Sequence, residues 1–143
     1  MSVSSLGFYA KDYRRETMRG ITETVTNAFL QGKAMKKGNS AVSVDSEWIY
    51  LELHGSRIAR RVNTAGPVEF LWLSAGGWST NTTKERLNGI GSHFGVGVWQ
   101  QKFEWFWSSR SELKQEFNTG VGKWNLVYCP TSAQRLILEL DHG

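Results

Sequence analysis

A chain of 143 residues with 40% hydrophobic content, seven Trp, seven Phe and four Tyr is long enough to bury a core without metal or disulfide staples, and one domain over 1–143 is expected. Its lone cysteine, Cys129, excludes an intramolecular disulfide, and no segment approaches the ~20 apolar residues of a membrane span. Met1 to Phe8 lacks the basic and apolar regions of a secretory signal, so a soluble protein of a reducing cytoplasm is expected, with Cys129 buried as a small hydrophobe.

Net charge is +4, and its placement is uneven. Residues 1–61 hold ten Lys/Arg against six acids, whereas the remaining residues hold seven of each. A basic first part suits an anionic partner such as nucleic acid, although the excess is mild.

In chain order, Met18, Ile21, Val25, Ala28 and Phe29 repeat at helical spacing and predict a helix over Lys11 to Leu30. Gly20 would weaken that helix unless it permits a close packing contact, and Gly32 offers its stop. A basic turn, Lys33 to Asn39, leads into strands over Ala41 to Val44, Trp48 to His54 and Arg57 to Val62, with Ile58 and Val62 on one face. Val68 to Leu73 reads as a more central strand, being apolar on both faces except at Glu69. Thr82 followed by Glu85 has capping-box spacing and predicts a short helix over Thr83 to Ser92 with Leu87, Ile90 and Phe94 buried. A hairpin turned near Gln101 follows, with Phe103, Trp105 and Trp107 on one face. Ser111 to Phe117 reads as a helical turn, and Lys123 to Cys129 and Arg135 to Leu140 as the last strands. The fold class is α+β: an antiparallel sheet of about 6–8 strands carrying a long N-terminal helix and a short middle helix on one side.

The spacing of chemistry-bearing residues argues against catalysis and against a metal or other cofactor. His54, His93 and His142 stand far apart with no second ligand at zinc spacing. Glu47 and Glu52 would face opposite sides of a strand, and Glu112 and Glu116 read as neighbours on an exposed turn, not as an acid/base pair. Gly95-Val96-Gly97 and Gly120-Val121-Gly122-Lys123 lack the glycines or spacer of a phosphate-cradling loop.

Two stretches suit an anion instead. The helix start at Thr82 and Thr83, flanked by Trp78, Asn81, Lys84 and Arg86, offers backbone N–H groups and the positive end of a helix dipole. Trp48 and Tyr50, with Arg57, Arg60 or Arg61 from the neighbouring strand, suit a stacking platform with phosphate contacts. Against these stand plain structural roles: Thr82 as a cap, Arg86 on a solvated helix face, Trp48 packed under the N-terminal helix.

The run Leu53-His54-Gly55-Ser56-Arg57-Ile58-Ala59, then Gly77-Trp78-Ser79-Thr80-Asn81-Thr82-Thr83-Lys84-Glu85-Arg86-Leu87-Asn88, then Val98 to Phe106, resembles a group of small tailed-bacteriophage and prophage proteins of unassigned function. The resemblance spans about Lys33 to Trp107 and implies a phage origin without implying a mechanism. The expectation is a non-enzymatic phage accessory protein in the cytoplasm of an infected bacterial host that binds an anionic partner, nucleic acid before others. The alternative is an inhibitor of a host factor or defence system that acts by protein–protein occlusion, and a small hydrolase or nucleotide-sequestering pocket comes third.

Overall fold

In a computed structural model that describes residues 6–129, with side chains described from Arg19 onward, the first element is α1 (Leu6–Gln31). Val25, Ala28 and Phe29 are buried, as the helical spacing predicts. Gly32 ends the helix at φ +71, with Lys33 N–H donating to the Ala28 carbonyl and Gly32 N–H to the Phe29 carbonyl. That is a Schellman stop, and it requires the left-handed backbone that glycine adopts without penalty. Met18, Arg14, Arg15, the strand expected over Arg135 to Leu140 and His142 lie outside the residues whose side chains or backbone are described.

After α1 come β1 (Met35–Lys37), β2 (Ser40–Val44), β3 (Trp48–Leu53), β4 (Ser56–Val62), β5 (Leu71–Leu73), α2 (Asn81–Gly91), β6 (Gly97–Gln101), β7 (Glu104–Ser108), β8 (Gln115–Glu116) and β9 (Asn125–Tyr128). The strands form an antiparallel six-stranded sheet in the order β1-β2-β3-β4-β5-β9 and a three-stranded sheet in the order β6-β7-β8. The class is α+β, with two sheets where one was expected. Ile49, Leu51 and Leu53 of β3 and Leu71 and Leu73 of β5 point to one side, where they meet α1 and α2. Val98, Trp105 and Trp107 of the smaller sheet, with Phe117 just past β8, join the same hydrophobic cluster. Each such side chain contributes roughly 1.5–3 kcal/mol by leaving water.

Several local expectations are corrected. The basic stretch after α1 contains a strand, β1, because its backbone is the natural edge partner for β2. Ile58 and Val62 do not share a face: a bulge opposite Leu51/Glu52 inserts an extra residue in β4, so Ile58 and Ala59 are both buried and Val62 is exposed. Ser111 to Phe117 is a bend entering β8 and not a helical turn, since Gln115 and Glu116 pair with Trp107 and Phe106. Phe103 leaves the face shared by Trp105 and Trp107 because it sits in the hairpin turn itself. Cys129 is only partly buried, one residue past β9.

The close-packing glycine is Gly89 of α2 and not Gly20, beside which a Cβ would meet nothing. A Cβ on Gly89 would lie 2.2 Å from Thr22 Cγ2 and 3.2 Å from Thr26 Oγ1 of α1. Alanine gains about 1 kcal/mol of helix propensity, but the overlap costs about 1–3 kcal/mol, so the clash wins. Gly89→Ala is therefore expected to lower stability in chemical denaturation. Adding Thr22→Ser, which removes the obstructing methyl and keeps the hydroxyl, is expected to restore most of the loss.

Candidate nucleic-acid interface

The glycine-led segment 76–88 folds as a strand-to-helix junction, and most of its polar residues are consumed by folding. Thr80, not Thr82, caps α2: its Oγ1 accepts from Thr83 N–H at 3.2 Å, with φ −116 and ψ 166. The capping residue lies two positions earlier than Thr82/Glu85 spacing implies because Thr83, fully buried, donates its own hydroxyl to the Trp78 carbonyl and so pins the turn. Thr82 is half-buried in the first turn, and Asn81 is exposed. Asn88 holds the other side of the helix: its side-chain amide exchanges two hydrogen bonds with Val98 of β6, at 2.8 and 2.9 Å, as a neighbouring strand would.

Arg86, expected at the surface, is 1% exposed. Its guanidinium donates to Ser40 Oγ at 3.0 Å, Thr22 Oγ1 at 2.7 Å and Asn39 Oδ1 at 3.2 Å, so one side chain joins α2 to α1 and to the start of β2. Arg61 is buried in the same manner. It donates to the Phe29 and Leu30 carbonyls at 3.0 and 2.9 Å, the first of which it shares with Gly32 N–H, and so meets the negative end of the α1 dipole. Burial lowers the pKa of both guanidinium groups from the ordinary arginine value, with Glu85 acting in the opposite direction on Arg86. Neither arginine is presented to a ligand at the surface.

Trp48, Tyr50, Arg57 and Arg60 gather on the outer face of the six-stranded sheet, away from the helices. The bulge in β4 turns Arg57 and Arg60 to that face although they are three residues apart. Arg60 lies 4.5 Å from the ring centroid of Trp48, 4.9 Å from Trp72 and 4.6 Å from Trp124, a guanidinium enclosed by three indoles. Its Nε is buried without a hydrogen-bond partner, and burial lowers its pKa while Tyr50 raises it. Arg57 stacks 3.9 Å over Tyr50 and stands 3.9 Å from Glu52, with more than half of its side chain exposed. Tyr50 is thus covered by Arg57 and, at 8% exposure, is not an open stacking surface. Trp48 does not pack under α1. It lies half-exposed on the opposite face, edge-on to Trp72, with its backbone N–H held by Asp45.

Trp78 joins the two regions. Its carbonyl anchors Thr83 at the α2 start, while its half-exposed indole donates to Ser56 Oγ at 3.3 Å and lies 6.0 Å from His54 in the β3–β4 turn, next to Arg57. Lys84 faces elsewhere: it donates to Gln100 Oε1 and lies 5.5 Å over Trp105. Trp72 and Trp124 belong to the outer face without having been singled out in sequence. Alternation along β5 carries the signal for Trp72, since Leu71 and Leu73 flank it on the core side. No spacing rule finds Trp124. Among the described residues, no three His, Cys, Asp or Glu come together at metal-binding distance. A cleft of about 470 Å³ between α1 and α2 is lined by Arg19, Glu23, Glu85 and His93 of both charge signs and offers no single-sign field for an anion.

A family model described as Kyanoviridae Gp96 protein matches residues 18–124, from the last turns of α1 to Trp124 at the outer face. No curated protein and no solved structure matches the chain. Among the described residues no helix is long and apolar enough to cross a membrane.

Two outcomes are expected. Arg86→Ala opens a cavity and strips partners from Thr22, Ser40 and Asn39, a loss of about 2–4 kcal/mol in chemical denaturation, whereas Lys84→Ala, at a partly exposed site, is expected to stay within about 0.5 kcal/mol. The second outcome concerns acid. Asp45 Oδ1 accepts from Trp48 N–H and Glu47 N–H, and these bonds hold its pKa below the ordinary carboxylate value. A depressed folded pKa contributes stability above the unfolded value of about 3.9 and loses it as pH falls through the folded pKa. Asp45→Ala is therefore expected to show a smaller drop in Tm than the wild type on moving from neutral pH to below about pH 3.9.

Proposed function

This chain belongs to the Kyanoviridae Gp96 protein family and is a phage protein, and we propose that it is a non-enzymatic accessory protein that binds single-stranded nucleic acid across the outer face of its six-stranded sheet, in the cytoplasm of the infected host. The observation that carries the reading is the continuous row of stacked cations and aromatics on that face, Arg57 over Tyr50 and Arg60 among Trp48, Trp72 and Trp124. A guanidinium held flat against a ring keeps its charge and its in-plane N–H groups at low entropic cost, the arrangement that phosphate recognition requires. The half-exposed indoles of Trp48 and Trp78 supply faces on which unpaired bases stack. A duplex, whose bases are already stacked, gains nothing from such faces, which favours a single strand.

The acidic groups near the face are few. Glu52 is engaged with Arg57, and Asp45 is tied to backbone N–H groups at the far end of β3. Asn81 and Thr82 at the start of α2 stand next in line for a strand that continues past Trp78, whereas Lys84, turned to Gln100 and Trp105, does not. Thr83, Arg61 and Arg86 have structural duties in this reading and only hold the face in place.

The test is fluorescence anisotropy of a labelled oligothymidylate and of an oligouridylate across a salt series. Affinity is expected to fall with log salt at a slope of about −0.7 for each phosphate neutralised, and Arg57→Ala to reduce that slope by about 0.7. Trp78→Ala is expected to weaken binding by about 1–3 kcal/mol with an unchanged salt slope, and to lower Tm only slightly, through the lost hydrogen bond to Ser56. No binding at low salt, or binding indifferent to salt, overturns the reading.

A further inference from the structure

Arg60, Arg61 and Arg86 are all drawn out of water, and two of them have their donors met. Arg86 finds Ser40, Thr22 and Asn39, and Arg61 finds the carbonyls of Phe29, Leu30 and Val62. Arg60 differs. Among the described residues no oxygen accepts from its guanidinium, and its Nε is shut off from water without a partner. Its walls are the rings of Trp48, Trp72 and Trp124. N–H groups taken from water without acceptors cost stability. An unbranched apolar side chain would fill the corner between Trp48 and Trp72, which meet edge-on at 74°, without that cost. Folding does not explain the cation.

The enclosure also limits what can meet it. Arg60 remains partly exposed, and with Nε covered its open edge is the terminal pair, Nη1 and Nη2. A ligand on that edge lies against indole faces, which carry the negative side of the ring quadrupole. Phosphate oxygens pressed against such faces are repelled, whereas a neutral aromatic base lying in the plane of the guanidinium stacks on them. Among bases, guanine sets two acceptors, O6 and N7, side by side on one edge, which matches a two-pronged N–H donor. Adenine opposes one prong with its amino group, and thymine and uracil separate their acceptors by an N–H. Cytosine offers adjacent acceptors on a single ring, with less surface to stack.

We propose that Arg60 is the base-reading residue of the outer face, and that the bound single strand places a guanine there, with O6 and N7 on the terminal N–H groups and the ring against Trp48. The inference rests on the single-strand reading and divides the stacked row into two tasks. Arg57, with more than half of its side chain exposed, meets phosphate, and Arg60 meets a base. A strand of any sequence is then held by its backbone, and one position along it is selected.

The test is anisotropy of the full-length protein with a labelled oligothymidylate and with the same strand carrying one central deoxyguanosine, 7-deazadeoxyguanosine, deoxyadenosine or deoxycytidine. The deoxyguanosine strand is expected to bind roughly tenfold more tightly than the plain strand. The 7-deaza strand, in which carbon replaces the N7 acceptor, is expected to lose most of that gain. These measurements use the wild-type protein and so do not depend on how a variant folds. Arg60→Lys keeps the charge without the planar fork, and is expected to erase the preference while the salt slope of the plain strand stays as in the wild type. Arg57→Ala is expected to weaken all strands alike. Equal, salt-dependent affinity for every strand overturns the inference and leaves the single-strand reading standing; no binding of any strand overturns both. A preference for deoxyadenosine or deoxycytidine over deoxyguanosine, or a guanine preference that survives the 7-deaza change or Arg60→Lys, overturns the inference as well.

Discussion

The arrangement depends first on a cation buried where an apolar residue would ordinarily sit. Arg86 reaches from α2 to Thr22 on α1 and to Asn39 and Ser40 at the start of β2, and these contacts fix both helices against one face of the sheet. A charge taken out of water is tolerable only where oxygens are already in position to receive its N–H groups. The site therefore selects one relative placement of three elements, which apolar contact alone, being non-directional, would leave looser. The Gly89 crossing against Thr22 is the steric half of the same constraint, since α2 must approach α1 closely for Arg86 to reach the Thr22 hydroxyl.

Arg61 performs the matching task at the end of α1. By closing the Phe29 and Leu30 carbonyls it ties the helix terminus to β4, while its neighbour Arg60 points to the other side of the sheet. Two adjacent arginines thus have opposite destinies by strand alternation alone. The inner one holds the helix; the outer one is enclosed by indoles. The face proposed for binding is consequently the reverse side of the structural clamp, with Arg60 one peptide bond from Arg61.

The bulge in β4 decides which residues meet on that outer face. Without the extra residue, Arg57 and Arg60 would lie on opposite sides, and Arg57 would not cover Tyr50. The same irregularity explains why Ile58 and Val62 part company. One inserted position in a strand brings the exposed cation, Arg57, to the face that already holds Arg60 and Trp48.

What the sequence determined by itself is the local record: the helical stripe of α1, the alternation of β3, the Gly32 stop, the Leu87 and Ile90 core of α2 and the α+β class. The phage origin implied by the sequence resemblance agrees with the family match over residues 18–124. The local features follow from periodicity and from backbone preferences that act over a few residues. Only the tertiary structure decided which cations are buried, because Arg57, Arg60, Arg61 and Arg86 are chemically alike, and their roles depend on partners up to 64 residues away. The same holds for Thr80 over Thr82 as the cap, for Trp72 and Trp124 around Arg60, and for the splitting of the strands into two sheets. Each is settled by where distant oxygens, rings and edges come to lie, and local sequence carries no information about that.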